Sequence, residues 1–452
     1  MTKNRLTFTL MDLGYKKAGP VQIYDERTCY EDGEIIPFST QLAIVTHARM
    51  LRHVRHGEIY QTKSQELIDA WTNSELPSKI KTKDSCVCES TGFQYSLFNY
   101  LLDVPFPGPK IPKFTFIDLF AGIGGFRMAM QNLGGQCVFS SEWDAQAQKT
   151  YFANYGEVPF GDITSENTKR FIPNDFDILC AGFPCQAFSL AGKRLGFEET
   201  RGTLFFDVAE ILRRKQPKAF FLENVKGLVC HDKGKTFKTI LNTLDEIGYV
   251  VPKPEIVNAM YFGVPQHRER IYIVGFRKDL GIKPEDFTYP EQKEVTKHFI
   301  DIREKNPVAS KYYLSTTYID TLIRHKARHE SKGNGFGYAI VGDNEVANAI
   351  VVGGMGRERN IVIDTRQTDL TPTTRIKGEY NKDGWRRMTP REWGALQGYP
   401  VYDNGDGSPV FQIPVADASA YKQFGNSVAV PAIQATAEQM LNVLSDKKIL
   451  KL

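Results

Sequence analysis

The chain has 452 residues, 41% hydrophobic and 24% charged, the profile of a soluble globular protein with core enough for two or three domains. A net charge of +4 neither requires nor excludes a nucleic-acid partner. No apolar run reaches the ~18 residues of a membrane span, and the opening MTKNRLTFTLMDLGYKK lacks a signal peptide's apolar stretch, so no membrane association is expected.

Residues 1–110 read as an N-terminal extension without a chemical motif. Within it HARMLRHVRHGEIY (His47–Tyr60) is basic. A solvated charged helix is the expected reading, with a helix facing phosphates as the alternative. Cys86 and Cys88 form a lone C-x-C with no second pair at zinc-site spacing, so no metal is expected. Seven scattered cysteines, an odd count, fit a reducing compartment rather than a disulfide framework, which points to the cytoplasm. The Pro-rich VPFPGPKIPK (Val104–Lys113) reads as a linker, because proline cannot feed a helix or a central strand.

Beyond the linker, short apolar runs alternate with amphipathic segments. FTFIDLF (Phe114–Phe120), CVFSSE, FDILCAG (Phe176–Gly182), AFFLENV (Ala219–Val225) and RIYIVGF (Arg270–Phe276) read as strands. FRMAMQNLGG (Phe126–Gly135) reads as a helix closed by glycine. The alternation predicts an α/β fold with a mostly parallel, doubly wound sheet, whose ligands sit at the carboxyl ends of the strands. Asp118, Gly122, Glu142, Cys185 and Glu223 fall there. The domains expected are 1–110, an extension; 111–280, catalytic; 281–387, a smaller irregular domain; and 388–452, a return to the catalytic domain. VPAIQATAEQMLNVL (Val430–Leu444) reads as a closing amphipathic helix begun by proline.

DLFAGIGG (Asp118–Gly125) joins a strand to a helix, where glycines let backbone approach a ligand and a helix N-terminus offers free N–H groups. It lacks the G-x-G-x-x-G spacing of dinucleotide sites, and a plain tight turn explains it equally well. Glu142 falls where an acid bonds a ribose diol, Trp143 beside it offers a ring for a base, and Asp162 offers an acceptor for an exocyclic amine. Together they favour an adenosine-containing ligand. In GFPCQAFS (Gly182–Ser189), Cys185 follows proline at a strand end, a place for a nucleophilic thiol; a buried structural thiol is the reading for Cys180. Glu223 is a candidate proton donor. Arg268 and Arg270 share a face of extended backbone, fit either for a carbonyl or phosphate or for salt bridges alone.

FIDLFAGIGGFR, SEWD, GDIT, GFPCQAFS, RGTLFFD, LENVKG, PQHRERIYIVGF, RRMTPREWGALQGYP and YKQFGNSVAVP resemble, in order, the motif series of the bacterial cytosine-5 DNA methyltransferases of restriction–modification systems. The resemblance covers Phe114–Val428 except the middle of the segment from Lys278 to Arg387. It implies a Rossmann-like S-adenosylmethionine-dependent methyltransferase domain, a target-recognition domain at 281–387, and double-stranded DNA with a flipped-out cytosine as substrate. S-adenosylhomocysteine is the implied product. By motif position, Phe120, Ile123, Gly124, Gly125, Glu142, Trp143, Asp162, Ile163, Pro184, Leu204, Asn426 and Val428 would line the donor pocket. Cys185 would be the nucleophile, Glu223 the acid at ring nitrogen 3, Arg270 the group on the carbonyl oxygen and Arg268 a support of the Cys185 loop. Ser189 and Arg201 lie in the loop that would close over DNA, with Gly202 as a hinge; Ala191 departs from the Ser common there. Gly353, Gly354, Arg357 and Arg359, with Thr371–Lys377, are candidate base readers from position and composition. A monomer, near the bacterial nucleoid, is expected, with a separately acting restriction endonuclease as partner.

Three other readings compete. An RNA cytosine methyltransferase on the same core is disfavoured by the long segment before RRMTPREW. A non-catalytic DNA-binding relative is disfavoured by intact Cys185, Glu223, Arg268 and Arg270. An NAD oxidoreductase fails on the glycine spacing.

Overall fold

A computed structural model describes residues 29–31, 34–36, 38–73, 104–184, 204–353, 356–368 and 379–452. A short antiparallel hairpin, β1 (Cys29–Glu31) and β2 (Glu34–Ile36), precedes two helices, Phe38–Met50 and Glu58–Asn73.

The main sheet contains β3 (Phe114–Leu119), β4 (Gly135–Ser141), β5 (Ile178–Gly182), β6 (Ala219–Val225), β7 (Tyr249–Val250), β8 (Glu255–Asn258) and, after the two-residue β9 (Gln266–His267), β10 (Glu269–Arg277). Its order is β4-β3-β5-β6-β10-β7, with β8 also on β10. The pairs β3/β4, β3/β5 and β5/β6 are parallel, whereas β10 runs antiparallel to β6, β7 and β8. This is the mostly parallel α/β sheet that the alternation predicts.

Strand periodicity divides the core. Phe116, Cys180, Phe221, Tyr272 and Val274 face one layer, which the helices Gly125–Asn132, Pro390–Leu396 and Val430–Asp446 cover. Ile117, Leu179, Phe220, Leu222, Ile271 and Ile273 face the other, under Leu204–Lys215 and Lys235–Glu246. Because both faces are covered, the central strands read as continuous apolar runs.

The N-terminal extension corrects the solvated-helix reading. Ala43, Ile44, Val45, Ala48, Leu51, Tyr60 and Leu67 are buried in the second layer with Val138, Phe160 and Phe171. His47 is fully buried, and Tyr60 Oη lies within hydrogen-bond reach of the Val138 and Phe171 carbonyls, at 2.9 and 3.0 Å. Only the bend between the helices keeps its basic residues, Arg52, His53 and Arg55, in solvent. The sequence conceals this because the apolar face is carried mostly by small and β-branched residues, interrupted by Thr46 and His47. The Pro-rich stretch is likewise laid on the domain: Phe106 N donates to Asn154 O and Lys113 N to Gly134 O.

Between β10 and β13 (Trp385–Arg387) the chain is irregular. It holds β11 (Ala347–Asn348), parallel to β9, then β12 (Ile361–Ile363), antiparallel to β13, and the helix Thr316–Glu330. Leu314, Ile319, Leu322 and Ile361 form a small core of their own. Phe287, Phe299, Val341, Ile350 and Val362 instead join the first layer of the main core, so the segment is rooted in the larger domain. Arg386 fastens the root: fully buried, it donates to Asp364 at 3.0 Å and to both Glu392 oxygens at 2.8 Å.

Candidate active site

The connections on either side of β3 diverge, one strand going to β4 and the next to β5. That opens a crevice at the strands' carboxyl ends. The ends of β3, β4, β5 and β6 carry Phe120, Glu142, Pro184 and Glu223–Val225. Because β10 is antiparallel, its beginning, with Arg268 and Arg270, reaches the same edge. Five separated sequence motifs thus converge on one rim.

The loop after β3 is held under tension. Phe120 has φ 56°, a left-handed conformation that costs a non-glycine residue on the order of 1–3 kcal/mol. The end of β4 fixes it there: Ala121 N donates to Ser141 O at 2.9 Å and Gly122 N to Glu142 Oε2 at 2.9 Å. The glycines differ in purpose. A Cβ on Gly122 would have open space around it, so this residue can admit a ligand. One on Gly124 would strike the Tyr155 ring at 2.3 Å, and one on Gly125 would strike Val428 at 2.7 Å. Close packing therefore requires glycine at 124 and 125 and Ile123 is buried, which leaves the loop backbone for the ligand contacts expected there.

Glu142 is nearly buried, and burial raises its pKa, while Asp144 N donates to its Oε1 at 2.7 Å. Each carboxylate oxygen keeps a lone pair for a hydroxyl. Trp143 is 69% exposed, so its face is free for stacking. Asp162 is exposed and accepts from Thr164 N at 2.9 Å; Ile163 beneath it is buried. Leu204 and Val428 are half-buried and buried, and Asn426 and Pro184 are exposed. A buried carboxylate, an open aromatic face and an exposed acceptor are groups that would suit the adenosine part of S-adenosylmethionine.

Across the crevice, Glu223 pairs in register with Gly182 of β5 and with Tyr272 of β10. Its Oε1 lies 3.1 Å from Arg270 Nε, and both side chains are largely buried. Arg268 is buried, and among the described residues no carboxylate lies within salt-bridge distance of it. It donates to the carbonyls of Ile350 at 3.1 Å and Ser427 at 2.6 Å, so its described role is to bind the β10 entry to the C-terminal segment. Burial, with Arg270 nearby, pushes its pKa down. Cys180 is fully buried and its pKa raised by burial, as a structural thiol requires.

Cys185, Ser189, Ala191, Arg201 and Gly202 lie outside the described residues, as do Gly354, Thr371–Lys377, Cys86 and Cys88. Among the remaining candidate readers, Gly353, Arg357 and Arg359 are exposed, and Arg357 sits 5.4 Å from the Tyr421 ring centroid.

Two positioning residues escape the sequence reading. Asn224 Nδ2 donates to Phe183 O at 2.8 Å, fastening β6 to the turn that leads into Cys185. Alternation was the available signal, since Glu223 facing the crevice sends Asn224 to the other side. Gln397 Nε2 donates to the carbonyls of Phe424 and Ser427 at 2.8 and 3.0 Å. No local pattern marks that contact.

Residues 114–442 match the family model described as C-5 cytosine-specific DNA methylase. The chain belongs to that family. It is 67% identical over 365 residues to the Type II methyltransferase M.HpaII of Haemophilus parainfluenzae, covering 80% of this chain and 98% of that protein. It is 39% identical over 345 residues to the Type II methyltransferase M.HhaI of Haemophilus parahaemolyticus, covering 75% and 97%. Among solved structures, the Entamoeba histolytica methyltransferase EhMeth aligns with a TM-score of 0.53 at 19% identity, covering 74% of this chain and 98% of that one. The S. pombe Dnmt2 methyltransferase aligns at 0.52 and 19%, covering 74% and 99%. Those two likenesses bear on the fold, which is that of a methyltransferase. The methylase is therefore a DNA (cytosine-5-)-methyltransferase of the restriction–modification type, and its family implies S-adenosylmethionine-dependent transfer. Among the described residues no helix is long and apolar enough to cross a membrane.

Proposed function

We propose that the methylase acts on a cytosine flipped from duplex DNA into the crevice beside Glu223, with Cys185 as the attacking residue. The observation that carries this is the Glu223–Arg270 pair, a carboxyl and a guanidinium side by side at the end of β6, one strand over from the turn that leads to Cys185. A carboxyl beside a guanidinium matches the ring nitrogen and carbonyl edge of cytosine.

The Cys185 thiolate forms a bond to carbon 6, and the electron pair of the 5,6 double bond shifts into the ring while Glu223 hydrogen-bonds nitrogen 3. S-adenosylmethionine, when bound, supplies a methyl group on a sulfonium whose sulfur keeps the bonding electrons on transfer, leaving S-adenosylhomocysteine. Carbon 5 takes the methyl. A base then removes the carbon-5 proton, the double bond re-forms, and the thiolate leaves. Glu142, Trp143 and Asp162 orient the adenosine; the Phe120–Gly125 loop faces the methionine end. Residues 111–280 and 388–452 constitute the catalytic domain, and 281–387 reads the DNA. Extruding the base costs a few kcal/mol, which contacts from that segment and from the Ser189–Gly202 loop offset.

We further infer, from the 67% identity to M.HpaII over 98% of that protein, that the two methylate the same DNA sequence. The protein works in the cytoplasm as a monomer, with a restriction endonuclease acting separately on the same sequence. Bisulfite sequencing of DNA from expressing cells, with tRNA methylation assayed in parallel, tests the reading. One fully methylated sequence motif, with tRNA unmodified, is expected. Methylation of tRNA alone would overturn it.

A further inference from the structure

The family match begins at Phe114, yet the helix Phe38–Met50 lies against the part of the catalytic domain that supports the Gly-rich loop. Beside its apolar packing, the contact has a buried polar centre. Thr46 Oγ1 accepts from Val158 N at 3.0 Å. His47 Nδ1 lies 2.8 Å from the Ala43 carbonyl, so it carries the proton there, and Nε2 faces Glu157 Oε2 at 3.6 Å. Glu157 receives both Arg127 terminal nitrogens, at 2.5 and 2.9 Å. The Arg127 guanidinium lies 4.6 Å from the centre of the Tyr155 ring, and Tyr155 donates its hydroxyl proton to Gly124 O at 2.8 Å. Thr46, His47, Glu157, Arg127 and Tyr155 are all buried.

Every link ends on a group with few alternatives. The Val158 amide has Thr46 as its buried acceptor. Glu157 has its orientation set by a bidentate guanidinium, and a planar fork tolerates little rotation. Tyr155 fills the space that a Cβ on Gly124 would occupy and holds that residue's carbonyl, while Gly124 keeps φ 83°. A shift of the Glu157–Val158 backbone therefore moves Arg127 and Tyr155, and with them the loop from Phe120 to Gly124.

We propose that the helix Phe38–Met50 is a positioning element for methyl transfer, with Thr46 and His47 acting through Glu157, Arg127 and Tyr155 to hold the Gly-rich loop in its donor-binding shape. The extension is thus a working part of the donor half of the enzyme. The proposal rests on reading Phe120–Gly125 and Trp143 as the donor site.

Steady-state kinetics of the full chain, with S-adenosylmethionine and substrate DNA varied separately, test it. Thr46→Val keeps the shape of the side chain and removes the acceptor. Loss of a buried hydrogen bond of this kind corresponds to about a fivefold to tenfold change in affinity. The expected result is a rise of that size in KM for the donor, with kcat and the KM for DNA each within about twofold. Thr46→Ser restores the wild-type donor KM. Leu67→Ala, a buried apolar position on the second helix, lowers the melting temperature without raising the donor KM. His47→Leu serves as a second probe should Thr46→Val not fold. An unchanged donor KM in the folded Thr46→Val or His47→Leu enzyme would overturn the proposal. So would an equal rise in Leu67→Ala, which would reduce the effect to general loosening. Trp143→Ala tests the donor-site reading by itself: if it leaves donor KM unchanged, the site assignment has failed rather than the positioning role.

Discussion

Arg270 Nε stands 3.1 Å from Glu223 Oε1 across two antiparallel strands, although the residue directly opposite Arg270 is Val225. The contact is therefore a diagonal one on a single face of the sheet, within reach of long side chains. It fixes the carboxyl and the guanidinium as a unit before any base enters.

Glu223→Gln keeps the shape and replaces the carboxyl proposed to meet ring nitrogen 3. We expect kcat to fall about 10²- to 10⁴-fold, the usual contribution of a positioned acid. Donor affinity, measured by calorimetry, should stay near wild type, because Glu223 lies across the crevice from Glu142. Arg270→Lys keeps the charge but not the fork, and should recover little of the activity lost in Arg270→Ala.

The Arg127–Glu157 pair is fully buried and doubly bonded. Removing one partner strands a charge, so Glu157→Ala should cost about 3–5 kcal/mol in urea unfolding. The double variant Arg127→Met with Glu157→Leu should recover most of that loss. A single-variant cost below about 1 kcal/mol would mean that water reaches the pair.

Asp118 is fully buried, and burial raises its pKa from 3.8 to about 8 against the opposing pull of the nearby Arg127 charge and backbone N–H. The folded state therefore binds an extra proton between those values. Its stabilising effect is present at low pH and is lost as pH rises through about 8. Asp118→Asn should flatten this part of the pH dependence of the urea midpoint, with the largest gain over wild type above pH 8. An identical pH profile in both proteins would refute the assignment.

Arg324, Arg328 and Lys332 lie four residues apart along and just beyond the helix Thr316–Glu330, and all three are exposed. Such a stripe of like charge is unfavourable in an isolated helix and suits a row of phosphates. Each Ala substitution should lower the slope of log affinity against log salt by about 0.9 and leave the sequence preference unchanged. Filter binding across a salt series measures both.

How much the sequence disclosed follows from range. The strands β3, β4, β5, β6 and β10 and the closing helix were legible because each carries a local apolar pattern, whereas the short edge strands β7 and β8 were not. The rim residues were legible because strand ends carry ligands in this architecture. Residues joined across long stretches of chain were not: Thr46 meets Val158, and Arg268 meets Ser427. Nothing near either residue states its partner. The packing roles of Gly124 and Gly125 were hidden for the same reason, since Tyr155 and Val428 come from other elements. The buried extension misled because the charges around its bend outweigh its apolar positions in any short window.

Covalent attack by Cys185 is measured most directly by trapping. Duplex DNA carrying 5-fluorocytosine at the methylated position is incubated with the enzyme and S-adenosylmethionine, then resolved under denaturing conditions. Fluorine at carbon 5 cannot leave as a proton does, so the adduct should persist with the wild-type chain and be absent with Cys185→Ser. A stable adduct with Cys185→Ser, or none with a wild-type enzyme that methylates the unmodified duplex, would show that Cys185 is not the nucleophile.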